Sequence, residues 1–192
     1  MMSAASTAGV MALLAPPLAV FLALVLLASG LHKLFRRSRS RSVVREFAGV
    51  PGFLAPFAAM AVAVSELLAG LLLLMPAYRA VGGVLAASIW AAYLGLILRA
   101  IAQGRRDVDC GCTFGIAHRP LGAFHVARNA VLVSMGALVC AGALVAVPVS
   151  MGSTAGGSVK VSEILATLAL TALYGALEQV MALTPPRGGV LL

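Results

Sequence analysis

The chain has 192 residues, of which 61% are hydrophobic and 10% charged, with a formal net charge of +8 and a mean hydropathy of +1.05. Soluble domains carry about 25% charged residues, and a chain of this length cannot hide so much apolar surface from water, so a soluble domain is excluded and lipid is the solvent. Nucleic acid is excluded as a partner, because the basic residues lie between apolar runs without any binding motif; anionic lipid at the inner leaflet accounts for the same charges.

From Gly9 to Leu31 the chain is apolar and uncharged, long enough to cross about 30 Å of hydrocarbon as a helix. It lacks the basic n-region of a secretory signal and exceeds the length of a signal core, so it reads as a first transmembrane helix. Pro16-Pro17 mark its first turn or a kink. His32-Lys33 close it as an interfacial, snorkelling pair. Arg36-Arg37-Ser38-Arg39-Ser40-Arg41 and Arg45 then form a topology signal.

A second span runs from Phe53 to Met75, and Pro76 ends it. A tight turn at Tyr78-Arg79 leads to a third, about Ala80 to Leu98; so short a turn makes the two helices antiparallel neighbours. Gly70, Gly82-Gly83 and Gly95 are small residues that allow close helix approach. Residues 99–119 form a charged break. A fourth span runs about Leu121 to Val147, a Gly/Ser-rich loop follows from Pro148 to Ser158, and a weaker fifth span covers about Val161 to Leu183. We expect an all-α, polytopic four-helix membrane domain over residues 1–150. Residues 151–192 add a linker, a fifth helix and a disordered tail.

Orientation follows from counting Lys and Arg by side. Eleven lie on one face: Lys33, Arg36, Arg37, Arg39, Arg41, Arg45, Arg99, Arg105, Arg106, Arg119 and Arg128. Arg187 joins them if the fifth helix spans, and Arg79 and Lys160 lie on the other face. The positive-inside rule puts the N-terminus outside and the charged break in the cytoplasm. In a bacterium this is the inner membrane.

The break holds Asp109-Cys110-Gly111-Cys112-Thr113-Phe114-Gly115, where two of the three cysteines meet a carboxylate and glycines. Three readings of Cys110 and Cys112 stand side by side. As a dithiol they exchange with a partner disulfide through a mixed disulfide; a C-x-C bridge closes a small ring, and strain in such a bond makes it easier to reduce. Arg105, Arg106, His118 and Arg119 favour the thiolate, while Asp107 and Asp109 oppose it. As metal ligands, the two thiolates with His118 or His125 suit zinc or copper(I). Otherwise they are small loop residues without chemistry.

His125 and Arg128 share a face of the fourth span, with Asn129 beside them. Arg128 lies about 12 Å into the span by helix rise and needs a partner or a watery cavity. Glu66 is the one carboxylate deep in the first four spans, so a Glu66–Arg128 ion pair is expected, with His125 directed towards the cysteines. Asn129 and Lys33 are taken as structural. Trp90 and Tyr93 read as packing or a ligand wall, and Cys140 as a small buried hydrophobe. Glu178 requires a partner that spacing does not name.

Four stretches carry a family resemblance: Ser29-Gly30-Leu31-His32-Lys33-Leu34, Glu66-Leu67-Leu68-Ala69-Gly70-Leu71-Leu72-Leu73-Leu74, Asp109-Cys110-Gly111-Cys112, and Arg128-Asn129. Over about Val10 to Val147 the chain resembles the MauE family of methylamine-utilisation membrane proteins, a branch of the DoxX-like four-helix group. It departs from the family pattern at Thr113, which separates Cys112 from Phe114-Gly115. The resemblance implies a role in maturing methylamine dehydrogenase, whose small subunit is exported and disulfide-rich, beside a thioredoxin-like partner of the MauD type.

Disulfide work on an exported client favours cysteines outside, whereas the charge count puts them inside. Electrons then enter from a cytosolic thiol protein, and with no second cysteine pair a quinone or a partner completes the path. The leading expectation is a membrane accessory protein in which Cys110 and Cys112 exchange. Asp109, His125 and Arg128 tune them, Glu66 anchors the bundle, and no metabolite is turned over. The alternatives are a non-enzymatic metal or quinone binder and a scaffold subunit.

Overall fold

The computed structural model describes residues 4–105, 121–150 and 161–183. In lipid every backbone polar group must be satisfied within the chain, and the described residues accordingly form helices and turns without a strand. The helices are α1 (Ala4–Phe35), α2 (Arg37–Ala48), α3 (Ala55–Leu74), α4 (Arg79–Ala102), α5 (Ala123–Ser150) and α6 (Val161–Leu183). Five of them, all but α2, are long and apolar enough to cross a membrane.

The four long helices of residues 4–150 close a ring in which α1 packs on α3 and α5, and α4 packs on the same two. Glycine contacts set the register. A Cβ on Gly30 would lie 3.0 Å from the Ala63 carbonyl oxygen, and one on Gly70 would meet Leu27 and Ala23, so α1 and α3 run antiparallel. Gly83 lies against the backbone of Gly136 and Cys140, and Gly136 against Ala87, which makes α4 and α5 antiparallel too. Gly142 closes the ring on Met11 and Ala15 of α1. Such small residues let backbones approach where lipid supplies no hydrophobic drive. Gly82 fits the same pattern against Leu72 and Leu73; Gly95 does not, since a Cβ there meets nothing within 4 Å.

The ring encloses Leu22, Leu26, Leu73, Trp90, Leu132 and Val139, while Leu13, Phe57, Leu68, Val84 and Leu144 face outward, as lipid-facing side chains do. Pro16 and Pro17 sit inside α1 rather than in its first turn. Between α3 and α4 the chain makes one 3-10 turn, Pro76–Tyr78. α5 runs past Pro148 to Ser150.

The basic run after α1 is more than a topology signal, for it folds as α2. Ser40, Val43, Val44 and Phe47 recur at helical spacing on one face, with Phe47 buried, while Arg37, Arg41 and Arg45 are exposed. Gly49, at φ +71°, ends α2 in the left-handed conformation that favours glycine. α2 lies across one end of the ring against α3, α1 and α4.

Outside the ring, α6 packs on α1. The Tyr174 ring meets Phe21 edge-on at 5.7 Å, and the Thr167 hydroxyl reaches the Pro17 carbonyl oxygen at 3.5 Å.

Candidate functional site

Glu66 is fully buried on α3. Its partner is Lys33, whose Nζ donates to Oε1 at 2.8 Å and Oε2 at 2.9 Å. The Tyr93 hydroxyl donates to Oε1 at 2.5 Å, and the Ser29 hydroxyl donates to the same oxygen at 3.2 Å. Lys33 gives its third hydrogen to Ser29 Oγ at 2.7 Å, and its ammonium stands 5.5 Å from the centre of the Tyr93 ring. A carboxylate with two charge-assisted contacts and two hydroxyl donors is fully compensated, which is the condition for holding a charge at this depth.

The expected Glu66–Arg128 pair is therefore not formed. α1 and α4 stand on either side of α3 and deliver Lys33 and Tyr93 to Glu66, whereas α5 packs on α1 and α4 rather than on α3. Arg128 faces out of the ring and donates from Nη1 to Glu178 Oε1 of α6 at 2.8 Å, with its guanidinium 5.8 Å from the Tyr174 ring. That pair supplies the partner Glu178 required. Lys33 is likewise not a snorkelling end residue: its side chain is 12% exposed and committed to Glu66.

Sequence reasoning missed Ser29 and the Tyr93 hydroxyl as Glu66 ligands. The signal for Ser29 was its i, i+4 spacing from Lys33, which puts both on one face. No local signal names Tyr93, because its contact with Glu66 joins two helices.

Beside this network is a cavity of about 160 Å³. Val43, Val44 and Phe47 of α2, Ala58 and Val62 of α3 and Leu96 of α4 form its apolar walls, and His32, Arg36 and Arg39 its basic ones.

Cys110, Cys112, Asp109 and His118 lie outside the described residues, as do the metal and redox geometries read from them. The chain on either side of them is placed. Arg105, just past α4, donates through its guanidinium to the Glu46 carbonyl oxygen of α2. Leu121, just before α5, is buried with Phe47, Ile97 and Ala100. Both arms of the cysteine segment thus start from the C-terminal end of α2. His125 is buried, 6% exposed, in the first turn of α5. The Asn129 side-chain amide donates to the His125 carbonyl oxygen at 2.8 Å. Cys140 is a free, half-buried thiol towards the other end of α5. No group of three or more metal-ligating side chains occurs among the described residues.

The family model described as methylamine utilisation protein MauE matches residues 9–147. Methylamine utilization protein MauE of Methylophilus methylotrophus is 34% identical over 128 residues, which cover 64% of this chain and 65% of that protein. Methylamine utilization protein MauE of Paracoccus denitrificans is 29% identical over 140 residues, covering 73% of this chain and 75% of the relative. The match to the Methylophilus protein thus spans just under two thirds of its length. No solved structure matches. The matched stretch takes in the four-helix ring, α2 and the cysteine segment and leaves α6 outside, and over it the chain belongs to the MauE family of methylamine utilisation proteins.

Proposed function

We propose that this multi-pass membrane protein is an accessory of methylamine utilisation that handles thiols and disulfides through Cys110 and Cys112 while an exported, disulfide-containing protein matures. The client is of the kind of the methylamine dehydrogenase small subunit. On the cytoplasmic face a thiolate of a thioredoxin-like partner attacks a sulfur of the Cys110–Cys112 disulfide, and one cysteine leaves as a thiol. The partner's second thiol then attacks the mixed disulfide, leaving the partner oxidised and Cys110 and Cys112 as a dithiol. The pair returns to the disulfide by giving up two electrons and two protons, which a membrane quinone or a second partner carries across the bilayer towards the client disulfide. Asp109, His125 and Arg128 are the groups proposed to tune the thiols.

The observation that carries this reading is the family match, which encloses the Cys-Gly-Cys segment between two spans. The packing supports it: the two arms of the segment start at one end of the ring, where Arg105 meets the Glu46 carbonyl oxygen and Leu121 is buried with Phe47. The charge count adds a topology for the bacterial inner membrane, with the α2 end cytoplasmic.

The test is Cys112→Ser in the full chain, read by maturation of the exported client in cells and by non-reducing gels. Loss of maturation together with a trapped mixed disulfide on Cys110 is expected. Undiminished maturation without a trapped adduct would overturn the proposal and leave a binder or scaffold.

A further inference from the structure

We propose that the cavity between α2 and the ends of α1, α3 and α4 is a binding site for the head ring of a membrane quinone. Its redox role rests on the thiol reading above: the quinone is the acceptor that returns Cys110 and Cys112 to the disulfide. As the S–S bond forms, the dithiol gives up two electrons and two protons, and the two carbonyl oxygens of the quinone take them up to become hydroxyls.

The cavity has the size of one ring. It measures about 160 Å³, and an apolar cavity of about 150 Å³ takes up one benzene molecule. Val43, Val44 and Phe47 of α2, Val62 of α3 and Leu96 of α4 give it an apolar wall, which favours a flat, uncharged ring.

Its polar groups fit a neutral acceptor. None of the described residues lining the cavity is a carboxylate or an amide. Lys33 gives its ammonium hydrogens to Glu66 and Ser29, Tyr93 donates its hydroxyl to Glu66, and His32 and Arg39 are engaged in contacts of their own. Arg36, which is exposed, is the donor that the wall offers a ligand. One donor beside an apolar wall suits a carbonyl oxygen, whereas an anion with several charged oxygens needs several partners. Ser40 Oγ also lines the cavity. Its hydrogen goes to the Lys33 and Arg36 carbonyl oxygens, so its lone pairs accept from a hydroxyl of the reduced ring.

The position suits a carrier dissolved in the bilayer. Here α1 and α4 end and α3 begins, which is the level where hydrocarbon gives way to headgroups. Phe47 of the wall is buried together with Leu121, and Arg105 meets the neighbouring Glu46. The cavity therefore adjoins both points between which the cysteine segment runs.

The experiment measures decylubiquinone retained by the full chain in detergent, as quinone extracted per chain after gel filtration. A decyl-dimethoxybenzene, with a ring of the same size but no carbonyl, is the control. Wild type is expected to hold one decylubiquinone per chain, about tenfold more tightly than the control. Arg36→Gln should remove most of that preference, and Val62→Phe should weaken binding of both compounds. Arg45→Gln, on the exposed face of α2, leaves retention unchanged. Because Val62→Phe can disturb α3, Arg36→Gln carries the decision, with gel-filtration profiles confirming folded protein. Equal retention of quinone and control overturns the proposal, and so does retention indifferent to Arg36→Gln.

A second arm separates the site from the thiol reading. Cys110→Ser with Cys112→Ser should retain decylubiquinone as wild type does, since the wall residues named above are unchanged. Reduced wild type, kept from air, should form the Cys110–Cys112 disulfide and one decylubiquinol per pair. Retention without thiol oxidation refutes the acceptor role and leaves the ring site standing. Client maturation that depends on both cysteines, in a chain that retains no quinone, refutes the site and leaves the thiol reading standing.

Discussion

Replacing Lys33 by Met isolates the buried network that organises α1, α3 and α4. The substitution keeps the apolar stem and removes the two charge-assisted contacts to Glu66, which stays fully buried. Stranding one member of a buried ion pair costs about 3–5 kcal/mol. Tyr93 and Ser29 still donate to the carboxylate, so the lower end applies. About 3 kcal/mol is a factor of about 100 in the folding equilibrium.

Glu66→Gln should cost less, about 1–2 kcal/mol. Lys33 is 12% exposed and near the end of α1, and its stem can carry the freed ammonium towards water. The double variant should cost only about 1 kcal/mol, recovering most of the Lys33→Met loss and giving a coupling of about 3 kcal/mol in a double-mutant cycle. Unfolding of detergent-solubilised protein can be followed by Trp90, the one tryptophan of the chain, which is 3% exposed inside the ring. Additivity of Lys33→Met and Glu66→Gln within about 0.5 kcal/mol would refute the assignment. A coupling of Glu66 to Arg128 in place of Lys33 would refute it as well.

Tyr93→Phe removes one hydroxyl donor to a charged acceptor and should destabilise by about 1.5–3 kcal/mol in the same assay; no change would mean that the phenol is not bonded to Glu66. Gly83→Leu drives a side chain into the Gly136 and Cys140 backbone and should cost about 3 kcal/mol. Gly95→Ala, in open space, should be neutral or stabilise by up to about 1 kcal/mol, and equal losses at the two glycines would contradict the packing. Glu178→Gln should loosen α6 without lowering the stability of the ring, seen as faster hydrogen exchange confined to residues 161–179. Slower or unchanged exchange there would show that Arg128 does not hold α6.

Composition and pattern alone established lipid as the solvent, the number of long apolar segments and their limits to within a few residues. Water is absent from the hydrocarbon, so any apolar run of that length must satisfy its own backbone as helix. The family was legible in Ser29 to Leu34, Glu66 to Leu74, the Cys-Gly-Cys segment and Arg128-Asn129, because motifs are local. α2 was legible in retrospect from Ser40, Val43, Val44 and Phe47, but the arginines between them drew the reading towards topology alone.

The pairing of charges was decided by the tertiary structure. Lys33 and Arg128 are both cations near the same end of the ring, and depth does not separate them as partners for Glu66. A helix that is apolar all round has no stripe from which its rotation can be read. Rotation comes from the glycines: Gly30 and Gly70 bring α1 and α3 into backbone contact, which turns Ser29 and Lys33 onto Glu66. Packing of α5 on the other side of α1 leaves Arg128 facing α6. The same close approach of helices, followed by α2 folding back across their ends, encloses the basic cavity from residues that are 30 to 60 positions apart along the chain.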